Sequence, residues 1–348
     1  MYVYIGSYLI LLLFCFFYLF FLVEYQNTAS LKIFFFIGLL PSMAISTFRG
    51  NVGTDTGTYL QMVKDIDFNI LSERNDFDIE VGFYLLLKAF LYFFKSPRIV
   101  VNSVTLVISI YCFNLFSKSK EKFVTFSLLV FPLFFFDMSM NGLRYGLSFL
   151  LAKHASDEYS VNKKFKSAVL LLACISFQLS GVLVFILLWV RNFKLPTLAA
   201  VLPFAIIFYL IFDERLVYKF IAYTQLESPN ILSGSLPLGV FLACYFNTFL
   251  IDRKFIKKFT LLLILEVGSF VLAKFTYAGL RFQLLVLFVL FCYISEISLN
   301  DCKRKKAVLF LFFFIGLVGF AGTLKHYVDD VDMPPSPFLP YRYFWEEE

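Results

Sequence analysis

An all-α, polytopic membrane protein is the fold class this sequence predicts, and three observations predict it. Of the 348 residues, 60% are hydrophobic, 20% are aromatic and only 16% are charged, with 49 Phe among them. A soluble globule could not cover that much apolar surface. Apolar runs of roughly 15 to 22 residues recur from end to end, close to the number needed to cross about 30 Å of hydrocarbon. Short breaks between the runs collect lysine and arginine, which makes the net charge of +6 a topology signal and not a nucleic-acid footprint.

The elements follow in chain order. Residues 2–23 have neither a basic start nor a small-residue cleavage site, so they read as a first span and not a removed signal peptide. A second span covers 31–48. The polar segment 49–80 is net acidic and belongs on the outer side. The basic breaks at Lys118–Lys122, Lys163–Lys166, Arg191–Lys194, Arg253–Lys258 and Lys303–Lys306 belong in the cytoplasm by the positive-inside rule. If Val81–Phe94 crossed, Lys118–Lys122 would land outside. It is also short and carries Lys88, so it reads as a re-entrant or interfacial helix.

Spans at 99–116, 123–136 and 141–155 come next. Lys166 and Arg191 share a side only if the run between them crosses twice, so 166–177 and 179–190 should meet at a break near Phe177-Gln178-Leu179. The remaining spans are 196–212, 236–251, 259–274, 280–297 and 307–323. Together they make about twelve crossings in one integral membrane domain over 1–348, with outer segments at 49–80, 213–235 and 324–348. Cys15, Cys112, Cys174, Cys244 and Cys292 lie in apolar runs and Cys302 in a basic loop, so no disulfide is expected. With two His in the chain, no protein-built metal site is expected either.

Chemistry should then lie among residues that are costly to place. Arg49, Gly53, Asp55, Gly57 and Tyr59 open the first outer segment. Glycine there admits unusual backbone conformations and the close approach of a ligand, while Asp55 reads either as a reactive carboxylate or as a helix cap. Glu80 stands where the chain re-enters the membrane. Arg144 lies about a turn inside a span, where a guanidinium costs roughly 2.5 to 3.5 kcal/mol at mid-span unless it faces a cavity or a partner. Arg281 begins another span from the outer side. Glu266, in the middle of a span, reads as structural glue to Arg144 or a lysine, or as part of a proton relay. His326 follows the last span and could accept a proton near neutral pH.

Five ordered stretches carry a resemblance: "GTDTGTY" at Gly53–Tyr59, "EVGFYLL" from Glu80, "NGLRYGLSF" around Arg144, "FQLSGVLVF" from Phe177, and "GLRF" around Arg281. In order and membrane placement these resemble the EpsG-like branch of the Wzy polysaccharide polymerases, over about residues 45–285. Two departures stand out: Tyr145 where the family commonly has Gln after the arginine, and Gln178 where it commonly has His. Glutamine cannot act as a proton acceptor.

The resemblance implies a GT-C-like fold and a glycosyltransferase that needs no metal and no cofactor. It would join undecaprenyl-pyrophosphate-linked oligosaccharide repeats at the periplasmic face of the bacterial inner membrane, making O-antigen or exopolysaccharide. Partners would be those lipid-linked oligosaccharides, membrane lipids, a chain-length regulator and a flippase, with no nucleic acid. Catalytic candidates are Asp55, Glu80 and His326. Substrate-binding candidates are Arg49, Gly53, Tyr59, Arg144, Gln178, Tyr223 and Arg281, the arginines for pyrophosphate and the aromatics for sugars. The rival readings are a lipid-linked oligosaccharide flippase, which should show two related halves, and an O-antigen ligase, which uses the same donor with another acceptor.

Overall fold

The computed structural model describes residues 1–22, 28–67, 80–189, 233–251, 256–297, 305–329 and 337–346. The expected span at 196–212 and the candidate Tyr223 lie outside these residues. The described residues are helical, with one isolated bridge between Arg49 and Tyr343 and no strand. The chain divides into two compact units. One comprises Met1–Phe185, Ser295–Ile297 and Gly316–Glu348, the other Ile186–Ile294 and Ser298–Ile315.

In the first unit α1 (Tyr2–Phe17) continues through a wider π-helical turn, and α2 (Thr28–Thr47) follows. A short helix α3 (Thr56–Asp67) precedes α4 (Val81–Phe94), which has the bounds expected of the re-entrant segment. Helix α5 (Pro97–Phe116) starts at a proline, whose missing N–H costs nothing in the first helical turn. Part of the aromatic content fills this unit's interior: Phe35 on α2 packs against Phe113, Phe123 and Phe126, and Tyr8 stacks on Phe131 at 5.3 Å.

The run expected as a span at 123–136 is helical but not uniformly α-helical. Helix α6 (Lys120–Thr125) is six residues long, and the chain then winds through π-helical turns at Phe126–Phe135 and Asp137–Asn141. Pro132 cannot donate to the ladder, and Thr323 donates its hydroxyl to the Pro132 carbonyl at 3.3 Å. The stretch closes with the Gly142 N–H donating to the Asp137 carbonyl at 2.8 Å, a five-residue step. Such wide turns are uncommon and often mark functional positions.

Helices α7 (Leu143–Ser160), α8 (Lys164–Phe177) and α9 (Ser180–Trp189) come next. The break expected at 177–179 is present, with Gln178 in an extended conformation. Ser148 on α7 donates to the Gln178 carbonyl at 2.7 Å, satisfying backbone that the break leaves open. The 18 residues of α7 span about 27 Å at 1.5 Å each. Its C-terminal end meets the basic loops on both sides: Asp157 pairs with Lys122 at 2.8 Å, and Glu158 with Lys166 at 2.8 Å. Arg144 stands at the opposite end.

The second unit contains α10 (Ser235–Ile251), α11 (Ile256–Leu272) and α12 (Tyr277–Ile294). A side chain at Gly279 would put its Cβ 2.1 Å from the Ala273 nitrogen, so the α11–α12 turn closes this tightly only with glycine. The last helix, α13 (Lys305–Asp329), precedes the described tail 337–346. Five helical stretches are long and apolar enough to cross a membrane: Tyr2–Phe20, Thr28–Thr47, Pro97–Phe116, Tyr277–Ile294 and Lys306–Val328. Four shorter apolar helices, Val81–Phe94, Ser180–Trp189, Ser235–Thr248 and Phe259–Leu272, accompany them.

Candidate functional site

Residues 48–59 leave α2 and run under the C-terminal tail. Gly50 N–H donates to the Arg342 carbonyl at 2.9 Å, Phe344 N–H to the Phe48 carbonyl at 3.1 Å, and Gly53 N–H to the Pro337 carbonyl at 2.7 Å. Tyr341 donates its hydroxyl to the Ile45 carbonyl at 2.5 Å, and Phe338, fully buried, stacks on Tyr327 at 3.9 Å. Two of the outer segments read from the sequence are therefore paired, backbone to backbone, across nearly 300 residues of chain.

Beneath this pairing lies Arg49, which is 0% exposed. Its Nη1 donates to the Ser139 carbonyl at 2.7 Å, and its own carbonyl accepts from Asn102 at 3.3 Å. The guanidinium Nε and Nη2 are buried without a hydrogen-bond partner. Burial pulls the group down to about 10, against the attraction of Tyr59, Tyr4, Tyr341 and Asp55, so it keeps its charge at neutral pH. A buried cation with two unused donors has capacity left for an anion.

Gly53 has φ +109° and a Cβ there would lie 2.8 Å from the Asn141 Oδ1. Only glycine fits, but the close approach it permits is taken by Asn141 of the same chain and not left to a ligand. The adjacent Thr54 N–H donates to Asn141 Oδ1 at 3.1 Å, and Asn141 Nδ2 donates to Asp137 Oδ1 at 3.1 Å. Asp55 immediately precedes α3 and is half-buried. Tyr59 is only 3% exposed and packs edge-on against Phe83 at 5.7 Å. Burial raises the Tyr59 phenol, opposed by the nearby Arg144.

Glu80 occupies the N-cap position of α4 with extended backbone, yet its carboxylate makes no cap. It accepts from Arg144 Nη1 at 2.9 Å, with both side chains partly open at 18% and 28% exposure. A residue type suited to capping is diverted across to α7. Two residues on, Gly82 lets α4 lie close against α8, where a Cβ would lie 2.1 Å from Ser176 Oγ.

Asp137 is not among the residues the sequence singled out, and Asn141 and Tyr145 stand there only within the family-like stretch, without a role. Tyr145 donates its hydroxyl to Asp137 Oδ2, completing a chain from Thr54 through Asn141 and Asp137. A signal was present: Asp137 falls in the gap between the expected spans 123–136 and 141–155, four residues before the Asn141 that opens the "NGLRYG" stretch.

The structure brings together Arg49, Gly53, Asp55, Tyr59, Glu80 and Arg144 at one end of the first unit. His326 is on the exposed side of the last turns of α13, while its neighbour Tyr327 faces the interior. Gln178 sits at the α8–α9 break, half-buried. Arg281 belongs to the second unit, exposed in the first turn of α12. There Glu266, 0% exposed, pairs with neither arginine nor lysine: its Oε1 accepts from Gln283 Nε2 at 3.0 Å, which also donates to the Gly234 carbonyl at 3.1 Å.

The chain matches the EpsG family over residues 32–343. No curated protein and no solved structure matches it.

Proposed function

Since the chain belongs to the EpsG family, whose members are membrane proteins of polysaccharide biosynthesis, we propose that it is a membrane glycosyltransferase that polymerises lipid-linked oligosaccharide repeats. The donor is a growing glycan on undecaprenyl pyrophosphate, and the acceptor is one further lipid-linked repeat. The reaction takes place at the periplasmic face of the inner membrane, in a GT-C-like frame of about twelve crossings.

One observation carries this reading: the half-open Arg144–Glu80 pair, which a substrate can reach, stands at the same end of the unit as the covered Arg49 guanidinium, whose Nε and Nη2 keep the site's positive charge unneutralised. Pyrophosphate leaving an anomeric carbon develops charge that arginine forks bind bidentately. Carboxylates beside them supply the group that takes the acceptor hydroxyl's proton. Arg281, Gln178 and Tyr223 are further substrate-binding residues in this reading, and a chain-length regulator is a partner.

Deleting the gene and separating surface polysaccharide on a gel tests the function. A polymerase predicts core carrying one repeat, whereas a flippase predicts core alone, because no repeat then reaches the outer face. For orientation, cysteine placed at the exposed Asn51 should react with an impermeant thiol reagent in spheroplasts while native Cys302 does not. The reverse labelling would overturn the periplasmic assignment.

A further inference from the structure

Of the carboxylates Asp55, Glu80 and Asp137 at this end of the first unit, two are committed to cations. Glu80 is bonded to the Arg144 guanidinium at 2.9 Å, and Asp55 lies in the field of Arg49. A guanidinium neighbour keeps a carboxylate ionised but weakens it as a base. Asp137 differs. Its side chain is held by neutral donors alone, the Asn141 amide on Oδ1 and the Tyr145 hydroxyl on Oδ2. It is half-buried, as are Asn141, Arg144 and Tyr145, so a substrate can reach it, whereas Arg49 and Tyr59 are covered.

The local backbone is built to hold this pair. The π-helical turn Asp137–Asn141 ends on the Gly142 N–H to Asp137 carbonyl bond, which turns the chain back on the carboxylate. At Gly142 a Cβ would lie 1.6 Å from the Tyr145 ring, so the ring occupies the space that any side chain there would take. At Gly146 a Cβ would lie 2.7 Å from the Met138 carbonyl, which brings α7 tight against the same turn. Two glycines of "NGLRYG" thus serve to lay Tyr145 over Asp137.

We propose that Asp137, oriented by Tyr145 and Asn141, is the proton acceptor of the glycosyl transfer, in place of Asp55 or Glu80. The assignment rests on the polymerase reading above. In the step, the acceptor sugar hydroxyl gives its proton to an Asp137 oxygen as its own oxygen bonds to the donor's anomeric carbon. The bond from that carbon to the pyrophosphate oxygen breaks, and the lipid pyrophosphate leaves with the electron pair, next to Arg144. Asp137 then returns the proton to water. Positioned proton transfer of this kind is worth roughly 100- to 10,000-fold in rate.

The test uses purified full-length protein and the lipid-linked repeat that accumulates in a strain lacking the gene. Asp137→Asn should bind undecaprenyl pyrophosphate as the wild type does and lose at least about a hundredfold in turnover, and Asp137→Glu should recover part of it. Tyr145→Phe, which removes the hydroxyl donor from Asp137 Oδ2, should lower kcat with little change in KM for the lipid-linked repeat, a split that a merely structural role would not give. Wild-type turnover by Asp137→Asn overturns the assignment, as does a Tyr145→Phe variant that raises KM and leaves kcat unchanged. A wild type that does not polymerise overturns the polymerase reading, and the assignment with it.

Discussion

At the C-terminal end of α7, Lys153 is 1% exposed and divides its ammonium between Asp157 at 2.6 Å and Glu296 at 2.7 Å, while the second oxygen of Asp157 takes Lys122 at 2.8 Å. At the N-terminal end, Arg49 is buried just as deeply, yet one nitrogen reaches a carbonyl and two reach nothing. Burying a charge is costly in both places. At the first end the cost is offset by partners of opposite sign, so the cluster is a staple. At the second end the chain leaves part of a cation's bonding capacity unspent, which is what a site for an anionic substrate requires.

The sharpest way to break this contrast is Arg49→Lys. Lysine keeps the charge but not the planar fork, so polymer formation should fall by roughly a hundredfold while the protein remains in the membrane at its normal level. Normal polymer from that variant would make Arg49 a second staple. Arg144→Lys should cost less, about tenfold, since a lysine can still reach Glu80. Swapping the pair, Arg144→Glu with Glu80→Arg, should restore thermal stability without restoring polymer, whereas a staple would be restored in both measurements.

The smallest effect on activity should come from Asp157→Asn, at the other end. Burial alone would raise the Asp157 carboxyl, but Lys153 and Lys122 hold it below the usual carboxylate range. Its stabilisation is therefore complete above about pH 4, the unfolded value, and is lost as pH falls through the lower folded value. Asp157→Asn should cost about 2 kcal/mol of stability at neutral pH, lose that difference from wild type in strong acid, and polymerise normally. Reduced polymer from a well-folded Asp157→Asn would show that the two ends do not divide structure from function in this way.

What the sequence determined by itself is the set of features that depend on neighbours in the chain. The helical class follows from apolar runs of membrane length. The start of α5 is legible in Pro97, the α8–α9 break in the spacing of Lys166 and Arg191, and the bounds of α4 in the Val81–Phe94 run. Family membership was legible too, because motif order survives when the motifs are individually weak. Arg49, Asp55, Glu80 and Arg144 announced themselves through the cost of placing charge beside hydrocarbon.

Tertiary structure alone decided which of these groups meet. No local pattern tells Glu80 to leave its capping position for Arg144, 64 residues on. Nor does any local pattern lay Arg342–Phe344 over Phe48–Gly50, which turns Arg49 from an interfacial charge into a fully buried one. Asp137 went unread for the same reason. In sequence it is one polar residue between two apolar runs, and it acquires its two donors only when the chain takes a five-residue turn that hydrophobic periodicity does not encode.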